Sequence, residues 1–329
     1  MGFQEWALRN DSLIFFKQIM ISSNVLDSIG NTPLVRLNKV VPPDCARVLV
    51  KLEWANPTGS MKDRLARAMI ERAEKDGRLH AGDTVVEYTG GTTGVSLAFL
   101  CAAKGYRFHA VFSDAFSNEK RVTMQAFGAK VTDVLSENKM ITEKLIKGMI
   151  EKARALSSQP GHWWSDQLNN EDGVTGYYPL GEEIWVQTGG KVDAFVHSVG
   201  SAHSLHGVTH VLWKHNPKIH ITAVEPAESA VLSGGPSGSH QIEGIGIGFI
   251  PPLWNSGLVS ETMGVSTDDA REMARRLARE EGVFAGTSSG GNVVAALRLG
   301  RRLGPEATVV TLVVDSGLRY ISTDLYSPK

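Results

Sequence analysis

Two cysteines, Cys45 and Cys101, are all that 329 residues carry, and they stand far apart outside any C-x-x-C pattern. This excludes a disulfide framework and a cysteine metal knuckle, and it fits a reducing cytoplasm with both as ordinary buried thiols. Neither sign of charge is in excess: 34 Lys and Arg against 35 Asp and Glu offer nothing to nucleic acid or a membrane surface. No apolar run reaches the ~20 residues of a membrane span. Leu13-Ile14-Phe15-Phe16 is cut short by Lys17 and no small-residue cleavage site follows, so no signal peptide is expected. Met20 would make a natural start, and residues 1–19 read as an N-terminal extension with little role in the fold. Also missing are an internal repeat, a Walker loop and a GxGxxG turn at dinucleotide spacing.

What is present is an alternation of short apolar runs and helical patterns. Strands are expected at 47–51, 84–88, 107–112, 130–134, 194–199, 220–224 and 308–314. Helices are expected at 62–75, 95–104, 119–127, 141–155, 205–215, 267–280 and 292–303. Strands alternating with helices of this length predict an α/β protein with parallel sheets covered on both faces. Two such sets, before and after about residue 165, predict two domains with a cleft between them. Residues 229–250 form a long Gly-, Ser- and Pro-rich loop, a length that inside a compact domain points to function or movement.

The segment Asn56-Pro57-Thr58-Gly59-Ser60-Met61-Lys62-Asp63 places a lysine on the first turn of a helix. Ser60 reads as its N-cap, with Asp63 as the supporting acid. A cation at the positive end of a helix dipole is disfavoured, so the Lys62 pKa should fall and its amine should attack carbonyls readily. Three strand-to-helix turns share glycines with small hydroxyl residues: Thr89-Gly90-Gly91-Thr92-Thr93-Gly94, Gly200-Ser201-Ala202-His203-Ser204 and Gly286-Thr287-Ser288-Ser289-Gly290-Gly291. Glycine lets a backbone approach a ligand closely, and free amides at helix starts bind anions. A lysine accompanied by several phosphate-type turns points to pyridoxal 5'-phosphate.

From Ser28-Ile29-Gly30-Asn31-Thr32-Pro33-Leu34 to Asp315-Ser316-Gly317-Leu318-Arg319-Tyr320, over about nine-tenths of its length, the chain resembles the fold type II pyridoxal-phosphate enzymes. The resemblance is to the cysteine synthase (O-acetylserine sulfhydrylase) and cystathionine β-synthase family. It implies a tryptophan synthase β-like fold, in which two three-layer α/β domains enclose the active site. Residues 48–165 would carry the lysine and substrate turn, and 20–47 with 166–329 the phosphate turn. It implies that Lys62 holds the cofactor covalently and that Gly200, Ser201, Ala202, His203 and Ser204 bind its phosphate. Thr89, Gly90, Gly91, Thr92 and Thr93 would hold the substrate carboxylate, assisted by Gln167. Gly244 would line the cofactor edge and Ser289 would face the ring nitrogen. A serine there, in place of an aspartate, would favour loss of a β substituent over transamination. The implied activity is β-replacement on an activated L-serine such as O-acetyl-L-serine by sulfide or another small nucleophile, in a cytoplasmic homodimer. β-Elimination to ammonia and a keto acid is the alternative, and a catalytically weak binding or regulatory homologue is a further one.

The chain departs from the family where the family reads Thr-Ser-Gly-Asn-Thr-Gly: Gly90 replaces the serine, and Thr92 replaces the asparagine expected at the cofactor's phenolic oxygen. In the phosphate turn, where the family reads Gly-Thr-Gly-Gly-Thr, His203 could add a proton donor. His203, His206 and His210 share a helical face, but no carboxylate or cysteine completes a ligand set, so no metal is expected.

Overall fold

The computed structural model describes residues 21–327; the expected extension at 1–19 lies outside them. Ten strands are arranged in two sheets. A six-stranded sheet has the order β1 (Leu34–Arg36), β2 (Arg47–Leu52), β10 (Thr308–Val313), β7 (Ala194–Ser198), β8 (His220–Pro226) and β9 (Glu261–Val265). Only the β1–β2 pair is antiparallel. The second sheet, all parallel, runs β5 (Lys130–Asp133), β4 (Arg107–Phe112), β3 (Thr84–Tyr88) and β6 (His162–Trp164). The inner strands β3, β7 and β10 are buried along their whole length. Their near-continuous apolar runs suit strands covered on both faces.

The helices are α1 (Lys62–Lys75), α2 (Thr92–Lys104), α3 (Asn118–Ala126), α4 (Glu143–Ser157), α5 (Asp172–Thr175), α6 (Tyr178–Gln187), α7 (His203–His215), α8 (Thr267–Arg276) and α9 (Thr287–Leu303). A π turn, Leu277–Glu281, extends α8. None is long and apolar enough to cross a membrane. In α1, Leu65, Ala66, Met69, Ile70 and Ala73 are buried, a stripe at helical spacing that faces inward. Arg72 and Lys75 fall in its last turn, where cations suit the dipole.

The expected boundary at 47/48 moves. β2 pairs with β10 through Val48↔Val309 and Val50↔Thr311, so Arg47–Leu52 belongs to the larger unit and the chain crosses to the smaller one only after Leu52. The smaller unit, ending with β6, is thus an insertion between β2 and β7. One apolar cluster joins the two, running from Val85, Leu97 and Phe108 through Leu65 and Met69 to Tyr177, Leu205 and Leu212. Both cysteines are free and buried.

Candidate active site

Lys62 is the first residue of α1. The turn before it is stitched to the end of β10: the Met61 amide donates to the Val314 carbonyl at 3.0 Å and the Ser316 amide to the Gly59 carbonyl at 3.0 Å. The N-cap position falls on Met61, not Ser60, though the Ser60 hydroxyl still accepts the Lys62 amide at 3.1 Å. Asp63 turns back instead, accepting the Thr58 amide at 2.8 Å and its hydroxyl at 2.6 Å. Burial, opposed by nearby Asp315, lowers the Lys62 pKa to about 8. The expected fall is present, but desolvation is its main cause. Among the described residues the Lys62 amine has no hydrogen-bond or ion-pair partner, and it lines an open cleft.

The turn from β3 to α2 forms one wall of that cleft. Thr89 Oγ1 accepts the amides of Gly91 at 2.9 Å and Gly94 at 3.0 Å. This folds the turn so that the amides of Gly90, Thr92 and Thr93 find no partner among the described residues. Gly91 has φ +110, and a Cβ there would lie 2.5 Å from the Lys120 stem. A Cβ on Gly90 would meet the Phe116 ring at 3.0 Å. Gln167 lines the same wall, with Nε2 donating to the Tyr88 carbonyl at 3.0 Å and one amide hydrogen left over.

The turn from β7 to α7 forms the floor. The amides of Ser201, Ala202, His203 and Ser204 have no acceptor among the described residues, as expected of a helix start. Ala202 sits at φ 70, a left-handed conformation that costs an alanine ~1 kcal/mol or more. Gly200 is needed because a Cβ would meet the Gly244 carbonyl at 2.4 Å, which is how Gly244 comes to border the cleft.

The expected proton donation by the His203 ring does not hold. Its Nε2 lies 2.9 Å from the Asn170 carbonyl, which can only accept, and its Nδ1 takes the Ser201 hydroxyl at 2.8 Å. Burial, with the Lys62 charge adding to it against the Asn170 bond, pushes the ring down to about 4. His203 therefore offers its backbone amide alone. A different donor emerges at Ser204. Asn292 Nδ2 donates to His197 Nδ1 at 3.3 Å, so His197 Nε2 carries the proton it gives to Ser204 Oγ at 2.8 Å. The Ser204 hydroxyl hydrogen is left free to point elsewhere.

In the third turn, Ser289 is fully buried and its hydroxyl oxygen accepts the Val314 amide at 2.9 Å, which leaves its hydrogen free. The neighbouring Ser288 hydroxyl has no partner among the described residues. Gly286 gives room to Asp315, whose Oδ1 would lie 2.5 Å from a Cβ there. That oxygen has no partner, while Oδ2 accepts the Tyr320 hydroxyl at 2.9 Å.

Sequence reasoning also missed Lys120. It is 2% exposed, lines the cleft, pairs with Glu243 Oε2 at 2.5 Å and lies 4.6 Å from the Tyr320 ring centroid. Only its lysine type, in a helix that reads as amphipathic, was visible in the sequence. The three histidines of α7 do not converge: His203 points inward and His210 stacks on Tyr178 at 4.8 Å. No group of three metal-ligating side chains occurs among the described residues.

An amine without a partner and two sets of unpaired amides, all on one cleft, suit a flat phosphorylated aldehyde that binds a carboxylate-bearing substrate. Comparisons agree with that chemistry. The model of the family described as pyridoxal-phosphate dependent enzyme matches residues 25–315. A cysteine synthase of Staphylococcus aureus is 44% identical over 306 residues, covering 92% of this chain and 97% of that protein. The crystal structure of a cysteine synthase from Entamoeba histolytica superposes with a TM-score of 0.88 at 37% identity, covering 95% and 93%. That of an O-acetylserine-dependent cystathionine β-synthase from Helicobacter pylori gives 0.87 at 34% identity, covering 94% and 100%.

Proposed function

The chain belongs to the pyridoxal-phosphate-dependent enzyme family, and from that premise we propose that it exchanges the acetate of O-acetyl-L-serine for sulfide or another small nucleophile, giving L-cysteine or a related β-substituted alanine. The observation that carries the proposal is the unpartnered Lys62 amine in one cleft with the free amides of Gly90, Thr92 and Thr93 and with Gly200 and Ser201, which open the second turn of free amides. Pyridoxal 5'-phosphate, when bound, takes the substrate amine through its aldehyde and accepts the electron pair left at Cα.

In this reading the amides of Ser201, Ala202, His203 and Ser204 hold the phosphate, with Gly200 keeping the turn close and the Ser204 hydroxyl adding a donor set by His197. Gly244 borders the cofactor edge. The amides of Gly90, Thr92 and Thr93 and the hydroxyls of the Thr89–Thr93 turn, which Gly91 lets fold, orient the substrate carboxylate with the spare hydrogen of Gln167, and the Thr92 hydroxyl serves the phenolic oxygen. Ser288, whose hydroxyl has no partner among the described residues, is assigned to the ring nitrogen ahead of Ser289, whose oxygen already accepts the Val314 amide although its hydrogen stays free. A hydroxyl is a weaker partner than a carboxylate, so the nitrogen is not held protonated and loss of the β substituent competes well. Lys62, with its pKa at about 8, holds the cofactor at rest. Once displaced, it takes the proton from Cα and later returns it. The residue assignments, the division into two units around the cleft, and a cytoplasmic homodimer belong to the same reading; the last is supported by the resemblance and by two free thiols.

The test is the visible spectrum of the purified protein before and after addition of O-acetyl-L-serine. A cofactor band that shifts on addition, and that Lys62→Ala abolishes, is the expected result. A band retained in the alanine variant would remove Lys62 from its role. Keto acid released without any nucleophile would move the reading to β-elimination.

A further inference from the structure

We propose that the preferred acceptor of this enzyme is a thiol with an uncharged, apolar body larger than sulfide; the inference rests on the β-replacement reading above and names its second substrate. Apart from Tyr88 and Lys120, the polar groups of the cleft serve the donor and the cofactor in this reading. What remains of its lining is Phe116, Ile141, Ile146 and Leu168 on the smaller unit and Ile245 and Ile247 opposite. Phe116, Ile141 and Ile247 pack on one apolar cluster around Tyr88, Ile146 and Leu168, so the patch is continuous from wall to wall. It is aromatic at the substrate turn because Gly90 has no side chain and the Phe116 ring stands 3.0 Å from where a Cβ would be.

An acceptor with a carboxylate would find no free cation here. Besides Lys62, the cations among the described residues lining the cleft come down to Lys120, and it is tied to Glu243 at 2.5 Å. Ile141 and Ile247 also line an adjoining opening bordered by the Glu143–Lys147 pair. The two isoleucines thus carry the apolar surface to the mouth of the cleft, beyond which the lining turns polar with Thr142, Ser237 and Ser239. In the reaction the Cβ–O bond of O-acetyl-L-serine breaks and its electron pair leaves with acetate. The thiolate sulfur supplies the pair for the new Cβ–S bond, the thiol proton goes to solvent, and the proton Lys62 took from Cα returns there. No oxidant or reductant enters.

The experiment measures kcat/KM of the cofactor-loaded enzyme with O-acetyl-L-serine and a series of acceptors, each corrected for its thiolate fraction. Sulfide, ethanethiol, propanethiol and butanethiol give the dependence on length, and thioglycolate and cysteamine the dependence on charge. The expected result is a rise of about fourfold per methylene, with propanethiol more than tenfold above both charged thiols. Ile247→Ala, in a surface loop, should flatten the series, as should Phe116→Leu. A flat or falling series, or thioglycolate equal to propanethiol, overturns the inference; turnover with sulfide would then leave β-replacement standing. Absence of turnover with every acceptor overturns both.

Discussion

Glu87 lies at the centre of β3 with no exposed surface, one carboxylate oxygen accepting the Ser165 hydroxyl at 2.6 Å and the Gln167 amide at 3.0 Å, the other without a partner. Burial outweighs those bonds and raises its pKa from 4.5 to about 8, so the group is neutral in the folded protein at pH 7. Because the folded value is the higher one, its contribution to stability is complete below about 4.5 and is lost as pH climbs through about 8. Glu87→Gln should therefore lose less stability than the parent between pH 5 and 8.5 in denaturant titrations; parallel profiles would refute the assignment. Single residues were legible in the sequence where backbone pattern fixed them. Lys62 was found from its place at a helix start, and the glycines from their turns. What a side chain turns toward was not legible. Ser288 and Ser289 are indistinguishable in the sequence until β10 delivers the Val314 amide to one of them. The His203 ring is claimed by Asn170, a carbonyl 33 positions earlier.

At the scale of elements, α9 begins at Thr287 and α7 at His203, earlier than apolar spacing indicates, because their first turns are built of Gly, Ser and Thr with no apolar stripe. Their glycines nevertheless marked them as sites. β1, β6 and β9 went unread for other reasons. β1 is a three-residue edge strand, with Leu34 partly buried and Val35 and Arg36 exposed. β6 is His-Trp-Trp, with both tryptophans only partly buried. β9 carries Glu and Gly with little burial. α6, with Pro179 in its first turn where proline suits a helix, was not among the expected helices. The two serines of α9 separate by role. Ser289→Ala leaves the Val314 amide unpaired and should lower stability by ~1–2 kcal/mol with the cofactor band kept. Ser288→Ala should leave stability within ~0.5 kcal/mol but shift that band or weaken cofactor retention. The reverse pattern would return the nitrogen-facing role to Ser289.

For the whole molecule, the alternation of strands and helices disclosed two parallel-sheet units. It did not disclose where the chain crosses, because β2 reads equally well as the first strand of either sheet. The crossing is held by a buried ionic cluster. Arg64 of α1 bonds Glu53 at 2.8 and 2.9 Å and Glu183 of α6 at 2.8 and 2.9 Å, and Lys51 reaches Glu183 at 2.7 Å. Against the upward push of burial, Arg64 and Lys51 hold Glu183 down to about 2. Arg64→Met would strand two carboxylates with one lysine, and we expect a loss of ~3–5 kcal/mol in unfolding free energy; a loss below ~1 kcal/mol would show the cluster to be dispensable. The position of β10 between β2 and β7 also sets a timetable for synthesis. A ribosome releases β2 first and β10 roughly 250 residues later, a delay on the order of tens of seconds at ~5–20 residues per second. Through that interval the insertion can complete its own sheet, whereas β2, and β7 from its later emergence, wait with facing edges open. The nascent chain thus carries its most association-prone surface until the last strand slots between them.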